Sequence, residues 1–438
     1  MLAYFAYGGG FPSTDASWTL VWGRELLHLD APSFTADTPT PHPLSNALGL
    51  VAAALHPASE TVLLAVGYAA VGGLLVGTFV LGQRLFGAAA GSLAAVLLAS
   101  RDTLLFYGAL AYVDVVFSAL VIWAVALEAA RPRRGVPVLA VLAVAGLARP
   151  EAWLIAGAYW LYARPDDRRE AAKWAVLVVA PPLLWATLDL LATGEPLFSF
   201  TETRGSTPET GRPTGLGGLL AEGPRIIART ARPDVCLAAI VGLFVAHRLG
   251  HLKLLAGALV ATAAATAVPV VAGTPLNDRY VISTMALLCV AAAAPLALIV
   301  HGRERNAWRL AAAACMLVLL AGAVDQAPRL SDRRNDVVDR DTRRTAARDA
   351  LGLDIPCRPL VVPNVRLVPV AASWLDVPLD QVLDGHRAVP PGSYLWGTEA
   401  AMRNLLVVEG RAGIAAPRPS APIVRRRDGW TLMARCPA

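Results

Sequence analysis

GGGFPSTDASWTLVWGRELLHLDAPSFTADTPTPHPL, residues Gly8–Leu44, is the stretch around which the chain is organised. It is too polar and too rich in proline to cross a bilayer, yet nearly everything after it is strongly apolar. Asp15 sits in a Ser-Thr-Asp turn ahead of an aromatic, helix-like run, Trp18–Leu29. The segment Thr38-Pro39-Thr40-Pro41-His42-Pro43 then stiffens the chain, because each proline fixes φ and disfavours helix in the residue before it. A carboxylate held in a rigid loop at the mouth of a membrane bundle is a first candidate for chemistry. The structural alternative is that Asp15 only caps the helix that follows. His42 could act as a base or a metal ligand, but no second ligand lies near it in sequence, and a hydrogen-bonded structural histidine is the simpler reading.

Composition sets the class. Hydrophobic residues make up 55% of the 438, charged residues 16%, and mean hydropathy is +0.51. Ordinary soluble domains are about a quarter charged, so this is an integral membrane protein. The formal charge of +6 does not point to nucleic acid, because the basic residues fall mainly in short loops between apolar segments. The five cysteines (Cys236, Cys289, Cys315, Cys357, Cys436) show no CxxC or His/Cys ligand spacing.

The pattern predicts an all-α polytopic membrane bundle of about ten helices, near 61–82, 86–100, 111–130, 136–148, 151–163, 174–192, 234–248, 254–272, 280–300 and 309–324. An eleventh is expected if Met1–Phe11 is the end of a helix that begins upstream. The pair 136–148 and 151–163 reads as a short hairpin turning at Arg149-Pro150-Glu151. Basic residues fall in every second loop: Arg84; Arg131, Arg133 and Arg134; Arg164, Arg168 and Arg169; Arg248 and Lys253; Arg303 and Arg305. The positive-inside rule puts these in the cytoplasm. Loops 1–60 (with 44–56 an interfacial helix), 101–110, 193–233 and 273–279 then share the outer face of the plasma membrane.

Residues 1–324 form the membrane domain on this reading, and 325–438 a soluble extracytoplasmic domain. A charged, helix-compatible run at 329–349 joins the two. Four β-like runs (Pro359–Pro363, Val365–Ala371, Asn404–Val408, Gly429–Ala434) then suggest a small α/β fold. Cys357 and Cys436 lie outside the apolar spans in an oxidising compartment, which predicts a disulfide between them.

Charged groups at membrane depth are costly and usually face a cavity or a partner. Asp114, in Ala-Tyr-Val-Asp-Val, stands at the outer start of a span, where it could line a cavity or simply interact with the helix dipole. Arg149 and Glu151 flank the hairpin turn and read as a structural ion pair. Asn277-Asp278-Arg279-Tyr280 fills a tight outer loop. Arg279 could grip a phosphate bidentately, with Tyr280 adding a hydrogen bond or packing on an apolar tail; an interfacial aromatic and basic anchor is the alternative. The loop running from Thr193 to Glu202 and Arg204 is rich in groups able to bind hydroxyls, though most of it reads as scaffold. Acidic residues on one face could hold a divalent metal, but no ligand set can be assembled.

Together these pieces resemble the GT-C superfamily of polytopic glycosyltransferases, nearest to its protein O-mannosyltransferase and lipid A aminoarabinose transferase branch. The resemblance rests on the early Asp with a Trp-rich helix, Thr-Pro-His-Pro-Leu leading into the next helix, Tyr-Val-Asp at a span's start, Leu-Ala-Arg-Pro-Glu-Ala-Trp at the hairpin, and Asp-Arg-Tyr before a late helix. It spans about residues 8–320. It implies an inverting transferase that takes a sugar from a polyprenyl-phosphate donor to a glycan, lipid or protein acceptor. Asp15 would be the catalytic base, Asp114 the second-loop carboxylate, and Arg279 and Tyr280 the donor-phosphate contacts. Many members carry paired acidic residues in the first loop, whereas Asp15 has no acidic neighbour. The rival reading is a lipid or small-solute transporter, which needs paired broken helices around a midplane site.

Overall fold

The computed structural model describes residues 9–34, 40–210, 212–301, 306–324, 326–387, 389–403 and 415–437. Two helices, α1 (Thr14–Leu27) and α2 (Pro43–Ala54), make up the opening region. The chain continues through α3 (Ser59–Phe86), α4 (Ala88–Ala99), α5 (Asp102–Ala109), α6 (Val113–Ala130), α7 (Val136–Ala148), α8 (Glu151–Ala163) and α9 (Arg168–Thr193). Then come α10 (Phe198–Thr210), α11 (Gly215–Ala231), α12 (Pro233–Arg248), α13 (Leu252–Val271), α14 (Ile282–Ala293), α15 (Pro295–His301), α16 (Asn306–Val324) and α17 (Gln326–Leu351).

Among the described residues, six stretches are long and apolar enough to cross a membrane: Ser59–Phe86, Val113–Ala130, Arg168–Thr193, Leu252–Val271, Asp278–Ile299 and Arg309–Leu351. The pair α4–α5, bent by 64°, makes a seventh if it counts as one span. The protein is membrane-embedded; the expected count of about ten membrane helices is not confirmed, six or seven of the described stretches having the length and apolarity to cross. At 13 residues each, α7 and α8 reach only about 20 Å, against a hydrocarbon core of about 30 Å. They do form the expected hairpin. The 101–110 segment, expected as a loop, is helical as α5, and the 193–233 loop contains α10 and α11. Arg101 stands at the α4–α5 elbow, 1% exposed. Its Nε donates to the Leu97 carbonyl at 2.9 Å and its Nη2 to Ser100 Oγ at 2.6 Å, satisfying groups that the bend leaves open.

The Asp278–Ile299 stretch is 83% buried, whereas the hydropathic window of α9 is 17% buried. The first is therefore the centre of the bundle and the second its lipid-facing wall. Small residues allow the close packing. A Cβ at Gly242 of α12 would lie 1.7 Å from the Ala291 carbonyl of α14, so only glycine permits that approach.

Beyond α17 the chain forms β1 (Leu360–Val362), α18 (Leu367–Leu375), β2 (Val382–Asp384), β3 (Gly392–Gly397), α19 (Glu399–Arg403), β4 (Ile423–Arg427) and β5 (Trp430–Arg435). The sheet order is β2-β1-β3-β5-β4, with β1 parallel to β2 and β3, and β5 antiparallel to β3 and β4. The run at 359–363 contains β1, and the run at 429–434 overlaps β5. The run at 365–371 does not form a strand: it lies in and around α18, because Leu367, Val370, Ala371 and Trp374 recur at helical spacing and all bury on one core. The run at 404–408 lies outside the described residues, as do 1–8 and 35–39. Cys357 and Cys436 are joined by the expected disulfide.

The first helix is shared between the two parts. Trp18, Val21 and Trp22 of α1 enter the core formed by Leu360, Val368, Trp374 and Trp430, while Ala16 and Leu20 pack on Ala52 and Leu63 of the membrane part. The C-terminal part is also anchored by ions. Arg24 reaches Asp376 at 2.9 Å, and Glu60 of α3 accepts from Arg344 at 3.0 Å and from Trp374 Nε1 at 3.2 Å.

Candidate active site

Ser13, not Asp15, caps α1: its side chain accepts from the Ala16 N–H at 3.2 Å. Asp15 stands one residue inside the helix, so its carboxylate is free of the capping duty. That carboxylate faces a cleft between α1, α2, the start of α6 and the turn before α14. The cleft is lined by Asp15, Thr19, His42, Tyr112, Asp114 and Arg279 among others, and leaves about 50 Å³ for water. Its carboxylate keeps 37% exposure, and Oδ2 accepts from Arg279 Nη1 at 2.9 Å.

Arg279 is set by the 3₁₀ turn Asp278–Val281 at the head of the buried central helix. Its Nε stands 3.7 Å from Asp114 Oδ2, and its Cζ lies 4.7 Å from the centre of the Tyr112 ring. Asp114, 2% exposed, also pairs with Arg149, and Arg149 forks onto Glu151, with Nε to Oε2 at 3.1 Å. The Tyr280 ring lies under Arg149, 4.0 Å from its Cζ. The charges therefore alternate along Asp15, Arg279, Asp114, Arg149 and Glu151, each cation lying between two carboxylates. Tyr107 donates its hydroxyl to Asp278 and fixes the turn from below.

Electrostatics follow from this order. Burial alone would raise the Asp15 pKa, but the charge and hydrogen bond of Arg279 outweigh it, with help from Arg366, and hold the carboxylate below its ordinary value. Burial and the nearby Arg149 push His42 down to about 4, so the imidazole is neutral at pH 7. Its ring packs edge-on against Trp185 at 5.5 Å, and its buried Nδ1 has no hydrogen-bond partner.

The structure thus brings together Asp15, His42, Asp114 and Arg279 in the cleft, with Arg149, Glu151 and Tyr280 behind them. Glu202 and Arg204, on α10, do not line the cleft; Arg204 packs beside Gly273. That helix is tethered nearby, since Ser199 donates to Asp189 at 2.7 Å and Thr203 bonds Thr40. Among the described residues, no group of three or more His, Cys, Asp or Glu is placed to hold a metal ion. Sequence reasoning missed Tyr107, Tyr112 and Arg366. Tyr112 stood in the quoted Tyr-Val-Asp, whereas nothing local distinguishes Arg366 from the other arginines of the C-terminal part.

No protein-family model matches the sequence, and no curated protein is significantly similar to it. Solved structures are similar. ArnT from Cupriavidus metallidurans superposes in its apo state with a TM-score of 0.58 at 14% identity, covering 99% of this chain and 96% of that one. The same protein bound to undecaprenyl phosphate gives 0.57 at 12% identity, with the same coverage. The Archaeoglobus fulgidus oligosaccharyltransferase tethered to an acceptor peptide gives 0.50 at 12% identity, over 92% of this chain and 67% of that one.

The chain has the GT-C fold.

Within that GT-C fold the cleft lies where the opening helices, the start of α6 and the head of the central helix meet.

Proposed function

We propose that this protein is an inverting glycosyltransferase that moves a sugar from a polyprenyl-phosphate carrier to an acceptor hydroxyl at the outer face of the plasma membrane. Residues 1–324 would supply the catalytic membrane region, with 325–438 on the outer side. The observation that carries this reading is the Asp15–Arg279 pair, a base and an anion-binding cation 2.9 Å apart in one cleft of a GT-C fold. The undecaprenyl phosphate held by the similar ArnT supports a lipid carrier. The exposed leucines of α9, such as Leu183 and Leu191, suit a protein that meets its donor within the bilayer.

In the reaction, Asp15 takes the acceptor hydroxyl's proton as that oxygen bonds to the anomeric carbon. The bond from anomeric carbon to phosphate oxygen breaks, its electron pair leaves with the lipid phosphate, and configuration inverts. A positioned base of this kind contributes typically about 10²–10⁴-fold. Arg279 meets the charge that develops on the departing phosphate. Asp114 and, through it, Arg149 and Glu151 hold Arg279 in place and act as positioning residues. The charged groups gather at helix ends and not at a midplane, which favours an enzyme over a transporter. The test is sugar transfer by the purified protein from a defined undecaprenyl-phosphate sugar; no transfer with any such donor, in a protein that exchanges lipid or solute across vesicles, would reverse the assignment.

A further inference from the structure

Thr40 and His42 form one wall of the cleft that holds Asp15. Pro41 and Pro43 flank His42 and carry no N–H, so the backbone of this wall has few donors with which to fix itself. Two side-chain contacts supply what it lacks. Thr40 Oγ1 bonds Thr203 Oγ1 of α10, and the His42 ring lies edge-on to Trp185 of α9 with centroids 5.5 Å apart. Trp153 also packs edge-on against Trp185, at 5.6 Å, which fixes the ring that His42 meets.

Both contacts lead to Ser199, in the first turn of α10 and 6% exposed. Thr203 Oγ1 donates back to the Ser199 carbonyl at 2.6 Å, and Trp185 Nε1 donates to Ser199 Oγ at 3.0 Å. Ser199 is itself seated on Asp189: its N–H donates to Oδ2 at 2.9 Å and its hydroxyl to Oδ1 at 2.7 Å. Asp189 is 2% exposed, and a buried carboxylate is tolerated where its oxygens are answered. Anchoring the start of α10 would need the Ser199 N–H alone. The hydroxyl and the carbonyl do something further, since each continues through one side chain to the cleft wall.

We infer that Ser199, seated on Asp189, is a positioning residue for sugar transfer: it holds the Thr40–His42 wall in the place that aligns the reacting groups with Asp15. This rests on the transfer reading above. It gives a role to the corner between α9 and α10, which supplies none of the residues that line the cleft.

Two readouts on the full chain in detergent test it. One is kcat for transfer from a defined undecaprenyl-phosphate sugar; the other is hydrogen–deuterium exchange of the peptide covering residues 40–50. Ser199→Ala breaks both routes to the wall, and Thr203→Val breaks only the one to Thr40. Ser199→Ala should lower kcat about 10- to 100-fold, since small misplacements in a site cost that much, and Thr203→Val should lower it less. Both should exchange faster over 40–50 while binding undecaprenyl phosphate as the wild type does. Thr203→Ser keeps the hydroxyl and should restore both readouts. A role confined to stability would lower the unfolding midpoint and leave kcat per folded molecule unchanged, which overturns the inference. Loss of kcat with unchanged exchange over 40–50 also overturns it, because the effect would not pass through the wall. If Ser199→Ala does not fold, Thr203→Val and Thr203→Ser decide the matter, and equal kcat in the two sinks the inference. None of these results touches the transfer reading, whereas a wild type that transfers no sugar removes both.

Discussion

Arg279 donates to Asp15 at 2.9 Å while the same guanidinium stands 3.7 Å from Asp114, so one cation serves two carboxylates of unlike exposure. Asp114 is 2% exposed and has Arg149 as a second partner, whereas the Asp15 carboxylate is 37% exposed and opens on the cleft. The exposed member can exchange a proton with a substrate. The buried one can only hold its neighbours.

Asp15→Asn should lower sugar transfer at least 10²-fold with the cap of α1 intact, because that cap is Ser13, the stability lost being only that of the Asp15–Arg279 pair. Ser13→Ala should do the reverse, costing roughly 1 kcal/mol of stability with most activity kept. Transfer rates and unfolding midpoints of the two variants, measured side by side, check the division. Near wild-type transfer by Asp15→Asn would exclude it as the base.

The pH profile should report Arg279. The folded-state pKa of Asp15 is depressed, so its ionised form and the stability linked to it are fully present above the ordinary value of about 3.9 and are lost only as pH falls through the lower folded value. The acid limb of kcat/KM that belongs to Asp15 should therefore lie below that ordinary value. In Arg279→Gln burial is no longer opposed by that charge, and the limb should move upward. An unmoved limb would show that Arg279 does not set the base.

The buried chain of charges should be stiff to single changes. Arg149→Met leaves Asp114 and Glu151, both under a tenth exposed, without their shared cation. Breaking such a pair costs about 3–5 kcal/mol. Adding Asp114→Asn and Glu151→Gln should recover part of the loss. A triple variant no more stable than Arg149→Met would contradict this.

The Cys357–Cys436 bridge closes a separation of 79 residues. Chain entropy gives such a loop roughly 4 kcal/mol, so Cys357→Ser should loosen the C-terminal part. Limited proteolysis should then cut first beyond residue 351. A non-reduced peptide map of the wild type should contain the crosslinked pair.

Orientation can be read with single cysteines. A thiol placed near Asp384 should react with an impermeant reagent in intact cells, and one near Arg133 should be shielded. The opposite labelling would invert the assignment of faces.

The amino-acid sequence alone determined the membrane class, the order of the long apolar helices, the first-loop Asp15 without an acidic neighbour and the Asp-Arg-Tyr turn, because apolar length and isolated charge are local properties. It left the number of spans unconfirmed, since short apolar helices look the same whether they cross a bilayer or pack within a bundle. It also read Val365–Ala371 as a strand from β-branched content, although Leu367, Val370 and Trp374 already carried a helical period. Only the tertiary structure decided which partners the charges take. Asp15 and Arg279 are 264 residues apart, and Arg366 belongs to the C-terminal part. Cation and carboxylate pair through space, and no local pattern records which distant arginine the packing of α1 against α18 and the central helix will bring to Asp15.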